Sequence, residues 1–358
     1  MTDETREVIG GVDTHRDTHV AAALSPVGQV LGTRSFSATA AGYRELAGWL
    51  VSFGAVGHVG VEGTGSYGKG LARSLHEAGV TVIEVNRPNR QKRRRHGKSD
   101  TADAIAAGRA VLSGEADARP KSGTGPAEGV RVLRMARDSA TKARTQALNE
   151  IHALVVTAPA ALHDELAELS ISKLATYIEA LTPEADGYTV IALQSLVARC
   201  RALSAELKAL AADLHAAVAA AAPPKLLTEI GVGDYVAASI VMAMGDNPER
   251  LMRGDGCLAK LAGTSPKDAS SGLQERHRLN RDGNRDLNSA IYRITIVRLR
   301  YDQATKDYLA RRMSDGKTKK EAIRCIKRYI TRDIWKIYRD HLTEHETMLS
   351  ARADRIAA

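Results

Sequence analysis

The stretch VIGGVDTHRDTHVAAAL, residues 8–24, determines the fold of the N-terminal region. Two apolar runs, residues 8–13 and 19–24, are separated by a short polar segment, which is typical of two strands joined by a hairpin. A turn at residues 26–28 leads to a third run, Val30–Ser37. The sequence therefore predicts that the chain begins with a three-stranded antiparallel meander.

Strands and helices then alternate up to residue 85. The spacing of Tyr43, Leu46 and Leu50 predicts a helix over residues 40–53. Residues 56–62 and 81–85 are short apolar runs, and residues 68–79 between them have helical spacing and end at a glycine. A basic loop, residues 87–98, precedes a helix that begins near Ser99. An antiparallel meander followed by βαβ units predicts an α/β domain with a mixed sheet and helices on both faces.

From about residue 127 to 222 the chain becomes rich in Ala, Leu, Glu, Lys and Arg. Six apolar residues follow a 4-3-4-3-4 spacing, the a/d pattern of heptads: Leu196, Cys200, Leu203, Leu207, Leu210 and Leu214. One interpretation is a single helix that packs within its own domain. The other, favoured by the narrow seam and its polar flanks, is a dimerising coiled coil. Pro223 and Pro224 end this helix.

The third region, residues 225–345, is predicted to be mainly helical. Residues 226–230 and 237–244 flank a hairpin with glycines at Gly231 and Gly233, and glycine amides at a helix N-terminus can bind a backbone phosphate. A plain turn between two helices fits the same residues equally well. A polar loop and two further helical segments follow. The predicted organisation is therefore an α/β domain (1–120), a helical, coiled-coil linker (121–222), a helical domain with a helix–hairpin–helix-like element (223–345) and a tail (346–358).

Charge and composition point towards a polyanionic partner. Lysine and arginine number 51 against 42 acidic residues, a net charge of +9. Aromatic residues make up only 4%, which argues against base stacking as the main binding mode. The three cysteines are far apart and have neither metal-binding nor redox spacing, which fits a reduced cytoplasm. We expect no signal peptide and no membrane segment, since the N-terminus is acidic and no apolar run is long enough.

Four acidic residues occupy positions from which they can converge. Asp13 ends the strand in VIGGVDTH, and Glu62 ends another strand in HVGVEGTGSYG. Asp100 and Asp103, in KSDTADA, lie three residues apart and share one face of a helix. Carboxylates are hard oxygen ligands that suit Mg²⁺, and two such ions can stabilise the attacking and leaving oxygens of a phosphoryl transfer. Considered one at a time, each of these acids could equally have a structural role, either in a turn or in the first turn of a helix.

A second enzyme class shares this opening pattern. Sugar and acetate kinases also begin with a strand, an Asp-bearing turn and a hairpin, and GTGS at residues 63–66 would serve as a phosphate loop. That interpretation leaves unexplained a cluster of seven cations within twelve residues. Such a segment beside an acidic site is expected where a phosphate backbone must be held against carboxylates, although a solvated basic loop is the alternative. The cluster comprises Arg87, Arg90, Lys92, Arg93, Arg94, Arg95 and Lys98.

These motifs together resemble a known family. GVDTHRDTHVAA, VEGTGSYG and NRPNRQKRRRHGKSDTADA are similar to the N-terminal half of DEDD-type insertion-sequence transposases, also called bridge-RNA-guided recombinases, a group that includes the pilin-gene inverting recombinases. LLTEIGVGDYVAASIVMAMGD, CLAKLAGTSPKDASSG and RDGNRDLN resemble the C-terminal transposase domain of the same family. The resemblance extends from about residue 7 to 340.

The resemblance implies a fold and a set of catalytic residues. The N-terminal domain would have the RNase-H-like fold of the RuvC junction resolvase, with Asp13, Glu62, Asp100 and Asp103 as the metal-binding tetrad. The family's C-terminal domain supplies a nucleophilic serine in a Ser-x-Gly segment after a Gly-x-x-Pro motif, here GTSP at residues 263–266. Ser270 fits that pattern best, and Ser271 is the alternative nucleophile.

The resemblance also implies partners. The enzyme would cut and rejoin donor and target DNA through a covalent phosphoserine, with Mg²⁺ as cofactor and a structured RNA as guide. It would act as a dimer that assembles into a higher-order synaptic complex, on the nucleoid in the cytoplasm. Asp282 and Asn288 lie where relatives usually carry more basic side chains, so the local nucleic-acid contacts differ. Four nearby arginines are candidates to fix the scissile phosphate: Arg276, Arg278, Arg281 and Arg285.

The sequence thus predicts DNA strand exchange for a mobile element. Two other functions remain open at this point. A RuvC-like nuclease would use water as its nucleophile and leave Ser270 with a structural role. A non-catalytic nucleic-acid-binding protein would use the acidic residues only at turns and helix ends.

Overall fold

The computed structural model of the chain describes residues 7–85, 99–182, 187–269 and 277–357. The chain divides into two compact units. The first comprises Met1–Gly123 with Gly245–Arg250, and the second comprises Thr124–Met244 with Leu251–Ala358. Each unit has its own hydrophobic core.

The first unit is built on a five-stranded mixed sheet, as the sequence predicts. Its strands are β1 (Glu7–Thr14), β2 (Thr18–Leu24), β3 (Val30–Ser37), β4 (Ala55–Glu62) and β5 (Thr81–Val85). They lie in the order β3-β2-β1-β4-β5. The first three pair antiparallel, whereas β4 is parallel to β1 and β5 is parallel to β4. This arrangement agrees with the expected RNase-H-like fold.

Helices cover both faces of the sheet. They are α1 (Ala40–Val51), α2 (Lys69–Glu77) and α3 (Asp100–Leu112). On one face, Leu46 and Leu50 of α1 and Leu71 of α2 form a core with Val12 and Val59 of the strands. The opposite face packs against α3. Because both faces are covered, β1 and β2 are buried along almost their whole length, and their sequences are apolar without alternation.

The second unit is mainly helical. Its helices are α4 (Pro126–Val156), α5 (Ala160–Leu166), α6 (Ile171–Ala180), α7 (Gly187–Ala221), α8 (Pro224–Leu227), α9 (Asp234–Met244), α10 (Asp255–Leu261), α11 (Arg285–Tyr301), α12 (Gln303–Ser314) and α13 (Lys319–Ala357). A short hairpin, β6 (Lys267–Asp268) and β7 (His277–Arg278), lies between α10 and α11. Helix α13 continues through the predicted C-terminal tail.

Helices α4 and α7 form a long antiparallel pair. Ile151 near the end of α4 shares a buried cluster with Val190 near the start of α7. Val130 near the start of α4 shares another cluster with Val218 near the end of α7.

The predicted heptad seam lies on α7. Leu214 is buried at one end of the seam, whereas Leu203, Leu207 and Leu210 in the middle remain partly exposed. The helix therefore packs within its own chain and still presents apolar surface along the centre of the seam.

The core that contains Val130 of α4 and Val218 of α7 extends to the C-terminal helices. Val236, Ile240 and Val241 of α9 pack in the same cluster as Ile291 and Ile294 of α11. Helix α13 adds a row of isoleucines at helical spacing: Ile326, Ile330, Ile334 and Ile337. In the described part of the chain, no helix is both long enough and apolar enough to cross a membrane.

Candidate metal centre

Asp13 and Glu62 lie at the carboxyl ends of two adjacent parallel strands. In the register of β1 and β4, Val12 lies opposite Val61. Asp13 and Glu62 are the next residues of the two strands. Both carboxyl-bearing residues are buried, with relative exposures of 5% and 8%. The Thr14 hydroxyl donates a hydrogen bond of 2.8 Å to the Glu62 carbonyl, which ties the two strand ends together.

Helix α3 approaches these strands closely because small residues line the contact. A Cβ atom on Gly11 of β1 would lie 2.2 Å from the Ala104 carbonyl oxygen, and one on Gly60 of β4 would lie 2.8 Å from the Ala107 carbonyl oxygen. Side chains alternate between the faces of a strand, so Gly11 and Asp13 share one face, and so do Gly60 and Glu62. The glycines therefore bring the first turn of α3 over the acidic strand ends.

The first turn of α3 carries the other two acids. Ser99 is the N-cap residue, and its hydroxyl oxygen accepts a hydrogen bond of 3.1 Å from the Ala102 amide. Capping therefore does not require Asp100 or Asp103. Asp103 is buried, with a relative exposure of 7%, whereas about half of the Asp100 side chain is exposed. Both carboxylates also lie where the helix dipole favours negative charge.

His15 joins the acids of the strand and the helix. Its Nε2 atom lies 3.1 Å from Oδ2 of Asp13 and 3.3 Å from Oδ1 of Asp100. One ligand atom from each of these three residues falls within a group less than 4.8 Å across. His15 is not among the site residues that the sequence motifs predict. Its position two residues after Asp13, in DTH, is the only local signal that points to it, and the contact with Asp100 depends on the fold.

The charges of this cluster repel one another. Burial is the largest influence on Asp13 and raises the pKa of its carboxyl group. The negative charges of Asp103 and Asp100 also raise this pKa, whereas His15 lowers it. A cation among these carboxylates would relieve the repulsion. The buried oxygen ligands of Asp13 and Asp103, with the accessible Asp100, therefore suit a divalent cation that keeps some of its water.

Several predicted site residues fall outside the described residues. They are the two candidate nucleophiles Ser270 and Ser271, Arg276, and the whole basic cluster of Arg87, Arg90, Lys92, Arg93, Arg94, Arg95 and Lys98. Of the remaining candidate arginines, Arg278 lies on β7, Arg281 follows it, and Arg285 begins α11. All three are exposed.

The GTSP motif forms an anchored turn before the hairpin. Gly263 has a φ of 62°, and a Cβ on it would lie 2.4 Å from the Asp282 carbonyl oxygen. The Ser265 hydroxyl accepts a hydrogen bond of 2.9 Å from the Asn280 side chain. Asn288 donates a hydrogen bond of 2.6 Å to the Ala262 carbonyl and accepts one of 2.6 Å from Lys327. These contacts hold the GTSP segment before β6 close to the segment that follows β7.

The predicted helix–hairpin–helix has a short first helix. Helix α8 contains four residues and is followed by Gly231, which has a φ of 88°. A Cβ on Gly231 would lie 3.1 Å from Cα of Ile294, so this glycine permits close packing on α11. Gly233 is exposed before α9. The first residue of α9, Asp234, pairs with His215 at 3.0 Å.

Two protein-family models match the chain. A DEDD transposase model of the IS110 type matches residues 10–158, which include all four acids. A second model, described as the IS116/IS110/IS902 transposase family, matches residues 224–310, which include the GTSP motif. No curated protein matches the chain. The two matches follow one another in the order that the sequence motifs predict, and they decide against the sugar-kinase alternative. The chain therefore belongs to the IS110 family of transposases, enzymes that recombine the DNA of insertion sequences.

Proposed function

We propose that this transposase cuts and rejoins DNA strands through a Mg²⁺ site made by Asp13, Glu62, Asp100 and Asp103, with Ser270 as nucleophile. The observation that carries the proposal is the convergence of Asp13, Asp100 and Asp103 at one end of the sheet, within the matched transposase region. Such a group of carboxylates can hold Mg²⁺, and phosphoryl transfer uses the metal ion to neutralise the negative charge of the reacting phosphate.

The proposed serine step balances without another reactant. Ser270 Oγ forms a bond to the scissile phosphorus, the P–O3′ bond breaks, and the proton lost by the serine is recovered as the DNA strand leaves with a 3′-hydroxyl. Attack by a different 3′-hydroxyl on the phosphoserine reverses these bond changes and joins a new pair of strands. The phosphodiester energy is conserved, so the reaction requires no ATP.

The acidic residues have separate tasks in this proposal. Asp13, Glu62 and Asp103 are buried and therefore held in place, whereas Asp100 is accessible to substrate and solvent. A bound Mg²⁺ would stabilise negative charge on the phosphoryl oxygens. His15 contacts Asp13 and Asp100 at 3.1 and 3.3 Å and lowers the pKa of the Asp13 carboxyl group.

Trapping the protein–DNA adduct tests the nucleophile. The full chain, together with the RNA that co-purifies with it, is incubated with Mg²⁺ and nicked donor DNA that cannot religate, and the digested adduct is identified by mass spectrometry. We expect a modified peptide containing Ser270, no adduct in Ser270→Ala, and an adduct in Ser271→Ala. An adduct on Ser271 would move the assignment by one residue. Cleavage without an adduct in the Ser270/Ser271 double Ala variant would instead favour a water-using nuclease.

A structured guide RNA and a dimer complete the proposal. The basic segment 87–98 provides charge for an RNA backbone, and base pairing would supply the sequence choice. The partly exposed middle of the α7 seam provides apolar surface for a partner chain. Purification of the chain expressed with the DNA beside its gene, followed by sequencing of bound RNA, tests the guide. We propose that the active complex assembles on the DNA of the nucleoid, in the cytoplasm.

A further inference from the structure

Three arginines surround one tyrosine in the second unit. The guanidinium carbon of Arg134 lies 3.4 Å from the centroid of the Tyr235 ring, that of Arg293 lies 4.8 Å away, and that of Arg137 lies 5.3 Å away. Arg134 and Arg137 come from successive turns of α4, Tyr235 from α9 and Arg293 from α11. The cluster therefore exists only where these three helices pack together.

Arg134 is the fixed member of the cluster. It is 4% exposed, its Nε donates to both carboxylate oxygens of Asp138 at 3.0 and 2.9 Å, and its Nη1 donates to the Ser239 hydroxyl at 2.9 Å. The same Nη1 donates a longer bond of 3.3 Å to the Tyr235 carbonyl. These contacts engage the Nε and Nη1 donors of Arg134 and pair its charge with that of Asp138. They hold the Arg134 guanidinium against the Tyr235 ring.

The other two arginines keep their charge available. Arg293 is exposed and Arg137 is half-buried. Among the described residues, neither has a carboxylate oxygen within 4 Å, since Asp138 pairs with Arg134. The carboxylate of Asp234, the residue before the tyrosine, lies 3.0 Å from Nδ1 of His215 and is not within 4 Å of either arginine among the described residues. Two cations without a carboxylate partner among the described residues raise the positive potential beside the Tyr235 ring, which an anion would relieve.

We propose that Arg137 and Arg293, positioned by Tyr235, bind the phosphodiester backbone of DNA. The planar guanidinium group matches phosphate oxygens through paired N–H donors, and stacking on the ring lowers the entropy lost when a phosphate binds. Such contacts fix the position of the duplex and do not read its sequence. This DNA contact goes beyond the proposed transposase function. It rests on that function only because the chain must bind DNA.

Salt-dependent binding of the full chain tests this site. Affinity is measured over a range of KCl concentrations with two unrelated DNA duplexes and an RNA hairpin. The test variant is Arg137→Gln/Arg293→Gln. The matched control is Arg44→Gln/Arg199→Gln, which removes two exposed arginines of α1 and α7 that also have no carboxylate within 4 Å among the described residues.

We expect the test variant to lose about two units of the slope of log affinity against log salt, equally for both duplexes. Arg137→Lys/Arg293→Lys should keep most of the slope, because the charge remains. An unchanged slope, or a loss no larger than in the control, would overturn the proposal. A loss confined to the RNA hairpin would overturn it as well, in favour of an RNA site. The binding assay requires neither the serine nor the metal. Failure to trap a phosphoserine would therefore not change how the binding result is interpreted.

Discussion

A Cβ atom on Gly11 would lie 2.2 Å from the carbonyl oxygen of Ala104. Real Cβ atoms do not approach a backbone oxygen so closely, so helix α3 occupies its position on the sheet only because residue 11 has no side chain. The first turn of that helix carries Asp100 and Asp103. The distance between strand β1 and helix α3 thus governs the geometry of the acidic cluster.

Gly11→Ala should therefore destabilise the first unit. We expect a loss of about 2 kcal/mol or more, because backbone rather than a flexible side chain would have to move. Thermal unfolding measures the loss. Gly48→Ala is the matched control, since no atom of the described residues lies within 4 Å of a Cβ there and alanine favours the helix. Equal unfolding temperatures for the two variants would contradict the close packing of α3.

Asp103→Asn should remove metal binding while the chain remains folded. The substitution keeps the shape of the buried side chain and removes one charge from the site. Calorimetric titration with Mg²⁺ or Mn²⁺ should show at least about a tenfold loss of affinity, and strand exchange should be abolished. Asp17→Asn, at an exposed residue between β1 and β2, is the control. Near-normal strand exchange in Asp103→Asn would exclude Asp103 from the tetrad.

The triple substitution of Arg93, Arg94 and Arg95 to Ala should lower the affinity of the chain for DNA and RNA of every sequence by a similar factor. If each contacts one phosphate, the slope of log affinity against log salt falls by about three units, with no change of sequence preference. Fluorescence anisotropy at several salt concentrations measures the slope. A slope equal to that of the parent chain would mean that this segment is only a solvated basic loop.

Charged substitutions at Leu203 and Leu210 should break dimers. Both side chains are only partly buried within the chain, so Leu203→Glu/Leu210→Glu leaves the buried Leu214 and Val218 in place. We expect sedimentation to show a monomer of native helix content, and strand exchange to fall with dimerisation. An unaltered oligomer would show that the middle of the seam is not an interface between chains.

Local sequence patterns determined most of the first unit. The apolar runs and turns of residues 8–37 predict three antiparallel strands, and the structure confirms them, because strand pairing across short turns depends on neighbouring residues. The same patterns placed Asp13 and Glu62 at strand ends and Asp100 and Asp103 in one helical turn. For the long seam of α7, however, heptad spacing alone left open whether its partner is α4 of the same chain or a second chain.

Tertiary packing decided which distant side chains meet. His15 contacts Asp100, 85 positions away, only because Gly11, Gly60 and Gly108 let α3 lie close against the sheet. Tyr235 gathers arginines from α4 and α11 in the same way. No local pattern contains such a contact, since a side chain's charge and shape specify what it can bind, whereas the packing of whole elements specifies what lies within its reach.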